Sequence, residues 1–199
     1  MSRNGSGLRR AKGMAAKTLD LKFQAGPSTT IKTMANVPDL WEHARAIWHA
    51  GVAAVKPDVL LPAALKDPAL HQALAAAPRI LVLGAGKAGA AMSVALENAL
   101  SQWLDRIVGQ VNIPAGAELP TQKIHLSLAR PAVSNHPTQE GVAGTRRILE
   151  LAATAGPHDL ALCLLSGGGS ALLPCPAPGI SLDDKQQVTR LLHACGATI

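Results

Sequence analysis

Arg79-Ile80-Leu81-Val82-Leu83-Gly84-Ala85-Gly86-Lys87-Ala88-Gly89 decides the fold. Five residues, four of them apolar, run up to a glycine, and the isoleucine and valine favour extended backbone, so Arg79 to Leu83 reads as a short buried strand. From Ala88 to Leu104 there is no glycine after Gly89 and no proline. Met92, Leu96, Ala99 and Trp103 recur there at helical spacing, so a helix follows the glycines directly.

The same pattern extends outward in both directions. Upstream, Leu40, Ala44, Ile47, Trp48, Gly51, Val52 and Val55 mark an amphipathic helix with Asp39 as its expected N-cap, and Pro57 ends it. Pro62, Pro68 and Pro78 then punctuate short helical pieces and turns. Downstream, Ile107 to Ile113 and Lys123 to Leu128 read as strands, Thr138 or Glu140 to Ala153 as a helix, and Asp159 to Leu165 as a wholly apolar strand. Ser181 caps a last helix that is expected to turn Val188, Leu191, Leu192 and Cys195 inward. Strands alternating with helices predict an α/β fold of the doubly wound, Rossmann-like kind: a mostly parallel sheet with helices on both faces. Ligands of such sheets bind beyond the carboxyl ends of the strands.

With 199 residues and 48% hydrophobic composition, the chain suits one domain with a real core. The net charge of +6 does not belong to that domain. Residues 1–38 hold Arg3, Arg9, Arg10, Lys12, Lys17, Lys22 and Lys32 against Asp20 alone, whereas basic and acidic residues balance from Asp39 onward. A neutral body with four aromatics in the whole chain, Phe23, Trp41, Trp48 and Trp103, lacks the footprint of a nucleic-acid binder. The tail reads as disordered; a mitochondrial transit peptide and a start at Met14 or Met34 are the alternatives. No apolar run is long enough for a membrane span. Cys163, Cys175 and Cys195 show no zinc or disulfide spacing and read as buried free thiols in a reducing, cytoplasmic setting.

Two glycine loops carry the chemistry. Gly84-Ala85-Gly86-Lys87-Ala88-Gly89 matches G-x-G-x-x-G between strand and helix, but the next strand ends Val111-Asn112-Ile113-Pro114, without the acid that holds a dinucleotide ribose. Lys87 suits phosphate oxygens at a helix N-terminus; the plain alternative is a tight turn with a solvated lysine. In the second loop, Ser166-Gly167-Gly168-Gly169-Ser170, three glycines let successive N–H groups form an anion nest flanked by two hydroxyls. A serine nucleophile is the rival reading, yet G-x-S-x-G is absent. His136, fixed before Pro137 at the same sheet edge, is a candidate substrate ligand or proton shuttle. The other histidines show no metal spacing.

Leu83 to Ala88, Asn135-His136-Pro137, Leu165 to Leu173, and Leu191-Leu192 running to Gly196-Ala197-Thr198-Ile199 together resemble the N-terminal domain of the glycerate 2-kinase family. Some of its members are labelled hydroxypyruvate reductases. The resemblance runs from about Leu40 to Ile199, includes the Ile47-Trp48-His49-Ala50-Gly51-Val52 entry, and leaves out the tail. It implies ATP-dependent phosphorylation of D-glycerate to 2-phosphoglycerate with Mg²⁺ as counterion. On that footing Gly84, Gly86, Lys87, Gly89 and Ser166 to Ser170 meet the nucleotide, and Lys87 and His136 are the catalytic candidates. Thr138-Gln139-Glu140 stands where the family commonly has a Pro-Asp pair. The family's later Glu, Asn, Arg, Lys-His and Lys-Gly-Gly segment and its C-terminal domain lie outside this sequence. The expectation is therefore a truncated chain holding half of an interdomain site, with little or no turnover alone and aggregation or dimerisation through exposed apolar surface. A nicotinamide-dependent reductase, and a non-catalytic remnant or partner of a polypeptide carrying the missing domain, stay open.

Overall fold

The computed structural model describes residues 37–197; the expectations for the basic tail lie outside them. The chain forms two units, one ending at Glu42 and one beginning at His43, and the second contains the sheet. The elements of the described residues are α1 (Val37–Ala54), α2 (Pro57–Ala64), α3 (Pro68–Ala76), β1 (Ile80–Ala85), α4 (Gly89–Ala99), a 3-10 turn (Ser101–Arg106), β2 (Ile107–Pro114), β3 (Ile124–Arg130), α5 (Gln139–Ala153), β4 (Leu160–Leu165), the single turn α6 (Gly169–Leu172) and α7 (Leu182–Ala194).

The sheet has the order β3-β2-β1-β4, and every pair in it is parallel. The chain moves outward from β1 to β3 and then returns to the opposite side of β1. Right-handed crossovers in opposite directions place their helices on opposite faces. Side chains of β2 record this: a Cβ at Gly89 of α4 would meet Val111 and Ile113, whereas one at Gly144 of α5 would meet Asn112 between them. The direction of winding reverses between β1 and β4. Both glycine loops leave the sheet there, at the topological switch point.

Leu74, Ile80, Val82, Leu96, Leu100, Ile107, Val111 and Ile113 form the main core on the α4 face. The β2–β3 crossover has no helix. It is held by Glu97 of α4, 2% exposed, whose carboxylate accepts the N–H groups of Gln122 (2.8 Å), Lys123 (2.7 Å) and Ile124 (2.9 Å). Thr138 caps α5 by accepting the Gly141 N–H at 3.1 Å, and Ser181 and Asp184 form a reciprocal capping box on α7.

Four expectations are corrected. Helix α1 begins at Val37, so Asp39 lies inside its first turn rather than at the cap, and Ile47 and Trp48 stand 73% and 64% exposed. Helix α7 does not bury the side expected inward: Val188, Leu191 and Cys195 are exposed and Leu192 is half-buried. All three cysteines are exposed. For Cys163 the cause is the edge position of β4, whose Leu160, Leu162 and Leu164 join the α4-side core while Ala161, Cys163 and Leu165 face away, because α5 packs on β1, β2 and β3. Helical and strand periodicity identify an apolar face, but not whether a partner covers it.

Candidate functional site

Strand β1 delivers Gly86 and Lys87, and β4 delivers Ser166, because Ala85 and Leu165 are paired in the parallel register. The two loops are therefore bonded to each other. The Ser166 N–H donates to the Ala85 carbonyl (3.2 Å), the Lys87 N–H to the Gly167 carbonyl (3.0 Å), and the Ala88 N–H to the Ser166 hydroxyl oxygen (3.1 Å). Gly86 is required for this approach. Its φ is +152°, and a Cβ there would fall 1.9 Å from Ser166 Oγ.

Counting the N–H groups separates the loops. In the first, Gly86 donates to the Asn112 carbonyl (3.1 Å) and Gly89 to the Gly86 carbonyl (3.0 Å), so with Lys87 and Ala88 all four amides are engaged inside the protein. In the second, the N–H groups of Gly167, Gly168, Gly169 and Ser170 have no acceptor among the described residues; donation resumes at Ala171, to the Gly168 carbonyl. Gly168 makes this run possible with a φ of +98°. The Lys87 stem lies against it, with Cγ and Cε each 3.6 Å from where a Cβ on Gly168 would stand. The lysine itself is exposed, and no carboxylate among the described residues pairs with it.

Beneath the loops is Asn112, fully buried. Its Nδ2 donates to the Leu172 carbonyl at 2.8 Å and more weakly to the Gly141 carbonyl and the Thr145 hydroxyl, tying the end of the second loop to α5. Asn112 occupies the strand end where a dinucleotide site places its ribose acid, and the side chain faces inward. A cavity of about 560 Å³ flanks the second loop, where Asn135 and Pro137 meet Ser170 and Ala171 opposite Ile180 and Val188 of the α7 side. Lys87 does not line it. His136 sits in the turn between Asn135 and Pro137, its Nδ1 buried without a partner and its ring 5.8 Å from that of His193.

Thus the structure brings the two glycine loops and the His136 turn to one sheet edge. Among the sequence candidates, Gly167 to Ser170 present open amides, Ser166 latches the loops together, Gly84 serves the close approach of β1 to Leu164 of β4, and Gly89 that of α4 to β2. Asn112, noted in the sequence only as standing where a ribose acid would be, and Arg130 belong to no motif, and their bonding roles have no sequence signal. The carboxyls with depressed pKa values are structural. Arg79 and then the Gly156 N–H hold Asp159 below the ordinary range, Ser181 does the same for Asp184, and backbone and Thr138 hydrogen bonds do so for Glu140.

Residues 43–199 match the family model described as "Domain of unknown function (DUF4147)". The chain belongs to this family. The chain is similar to rat glycerate kinase, 33% identical over 178 residues covering 80% of this chain and 34% of the relative. Human glycerate kinase is 32% identical, over 85% of this chain and 36% of its own length. A putative hydroxypyruvate reductase of Agrobacterium vitis is 41% identical over 122 residues, 61% of this chain and 30% of the relative. The crystal structure of glycerate kinase from Thermotoga maritima superposes with a TM-score of 0.62 at 29% identity, covering 81% of this chain and 36% of that one. The chain spans about a third of the length of the relatives it matches.

Proposed function

We propose that the chain is the phosphate-binding part of a glycerate kinase which, with the remainder of such a polypeptide, transfers the terminal phosphoryl group of ATP to the 2-hydroxyl of D-glycerate. One observation carries the reading: four consecutive unengaged N–H groups, Gly167 to Ser170, with the Lys87 stem packed on Gly168. Phosphoryl transfer rests on positioning and charge neutralisation rather than covalent chemistry. The nest orients phosphate oxygens through its amides, Lys87 supplies the mobile positive charge, and Ser170 and the His136 turn line the adjoining cavity for the acceptor. Mg²⁺ would neutralise phosphate charge.

The reductase reading draws on the putative hydroxypyruvate reductase of Agrobacterium vitis. The buried, inward-facing Asn112 argues against it, since no carboxylate stands at that strand end to take ribose hydroxyls. Among the described residues no helix is long and apolar enough to cross a membrane, and the three free cysteines suit a reducing compartment, so we place the reaction in the cytoplasm.

Calorimetric titration of the chain with ATP and with NADH separates the readings. ATP binding that inorganic pyrophosphate competes, and phosphoryl transfer on adding a polypeptide that supplies the rest of a relative, are the expected results. Tighter NADH binding competed by hydroxypyruvate would sink the kinase reading.

A further inference from the structure

Three buried side-chain atoms among the described residues lack a hydrogen-bond partner: Asn112 Oδ1, Arg130 Nε and His136 Nδ1. All lie at or just beyond the carboxyl ends of β2 and β3, on the edge that carries the candidate site. Buried polar groups are normally satisfied, so exceptions gathered at one edge call for a cause.

Arg130 is 3% exposed, and no carboxylate among the described residues pairs with it. A buried cation is unfavourable unless dipoles or a counterion compensate it. Here the dipoles come from one turn: Nη1 donates to the carbonyls of Pro131 (2.9 Å), Ala132 (3.3 Å) and Ser134. That turn has little packing of its own. Pro131, Ala132 and Asn135 are exposed and Val133 is 99% exposed; Pro137 at its far end is fully buried, so apolar burial anchors the end of the turn but not its Pro131–Asn135 part. Its internal bonds are few: Ser134 N–H to the Pro131 carbonyl (3.3 Å) and His136 N–H to the Ser134 hydroxyl (3.2 Å), with Gln186 of α7 donating to the Pro137 carbonyl (2.8 Å). The guanidinium is the one group that gathers three carbonyls of the turn.

We infer that Arg130 is a positioning residue: it shapes the Pro131–Pro137 turn so that Asn135 and His136 are presented beside Ser170, and thereby sets affinity for the small hydroxy-acid acceptor rather than for the nucleotide. The part concerning the acceptor rests on the kinase reading; the part concerning the turn does not.

Three measurements test it. Acylation of histidines by diethylpyrocarbonate, read by peptide mass spectrometry, compares His136 with the exposed His158. In Arg130→Met the His136 rate should rise about tenfold at constant His158 rate, and in Arg130→Lys, which retains donors for the carbonyls, by no more than about threefold. An unchanged His136 rate in a folded Arg130→Met protein overturns the inference. Should that variant not fold, wild type decides: the Ser134 and His136 amides should exchange with solvent at least about tenfold more slowly than that of Val133, and equal rates overturn it. Third, with the rest of a relative supplied, Arg130→Lys should raise KM for glycerate about fivefold with KM for ATP nearly constant, whereas an equal rise in both overturns the acceptor role. Absence of transfer in wild type would sink the kinase reading while the first two measurements still decide the turn.

Discussion

The two glycine loops look alike in sequence and differ in what they leave open. In Gly84 to Gly89 every N–H from Gly86 to Gly89 is bonded within the protein, two of the four to the second loop; in Gly167 to Ser170 none has an acceptor among the described residues. A glycine-rich loop is therefore not a phosphate site by composition alone. The first loop is scaffold for the second, with Lys87 as its one outward contribution.

The largest effect should come from forcing the loops apart. Gly86→Val places a side chain at a positive φ and onto the Ser166 hydroxyl, so it should destabilise the fold by about 3 kcal/mol, seen as a lowered urea midpoint. A midpoint within error of wild type would show that the latch is not formed. Next, Lys87→Ala should weaken ATP binding about tenfold to a hundredfold, the range of one charge-assisted contact, with little change in urea midpoint. Unaltered ATP affinity removes Lys87 from the site. Gly168→Ala should lower stability by about 1 kcal/mol through its left-handed φ and weaken ATP binding as well, because the nest loses its shape. If calorimetry finds affinity intact, the loop is not the cradle.

Ser166→Ala removes one acceptor from the latch and should reduce stability by about 1 kcal/mol, while affinity for phosphate changes less than in Lys87→Ala. The reverse order would make the hydroxyl a ligand. The smallest effect is that of pH. Asp159 has a folded pKa below its unfolded value because Arg79 bonds its ionised form, at 3.1 Å from Nε and 2.6 Å from Nη2. Its contribution is thus complete above the ordinary carboxylate pKa of about 4 and fades as pH falls through the folded value. Asp159→Asn should flatten that acid limb of the stability profile and leave the neutral region nearly level; an unchanged limb assigns acid sensitivity elsewhere.

Much of the fold was legible because it depends on local signals. The strands at 80–83, 107–113 and 160–165, the start of the helix after the first glycine loop, which ends at Ala99 rather than Leu104, and the cap at Ser181 each follow from periodicity or end chemistry within a few residues. The site was legible as three segments but not as an arrangement. Which loop keeps its amides depends on β1 and β4 being neighbours, since that register alone sets Ser166 against Gly86. The roles of Asn112 and Arg130 were not legible for the same reason: an asparagine and an arginine at strand ends acquire meaning only from the carbonyls that the topology brings to them. The exposed faces of α7 and β4 escaped because an apolar stripe does not specify what covers it.

The most direct test follows amide resonances of the ¹⁵N-labelled chain during titration with ATP. The account predicts that Gly167, Gly168, Gly169 and Ser170 shift and gain exchange protection while Gly86, Lys87, Ala88 and Gly89 keep the protection they already have. Protection gained at Gly86 to Gly89, with Gly167 to Ser170 unmoved, would place the phosphate on the wrong loop and contradict it.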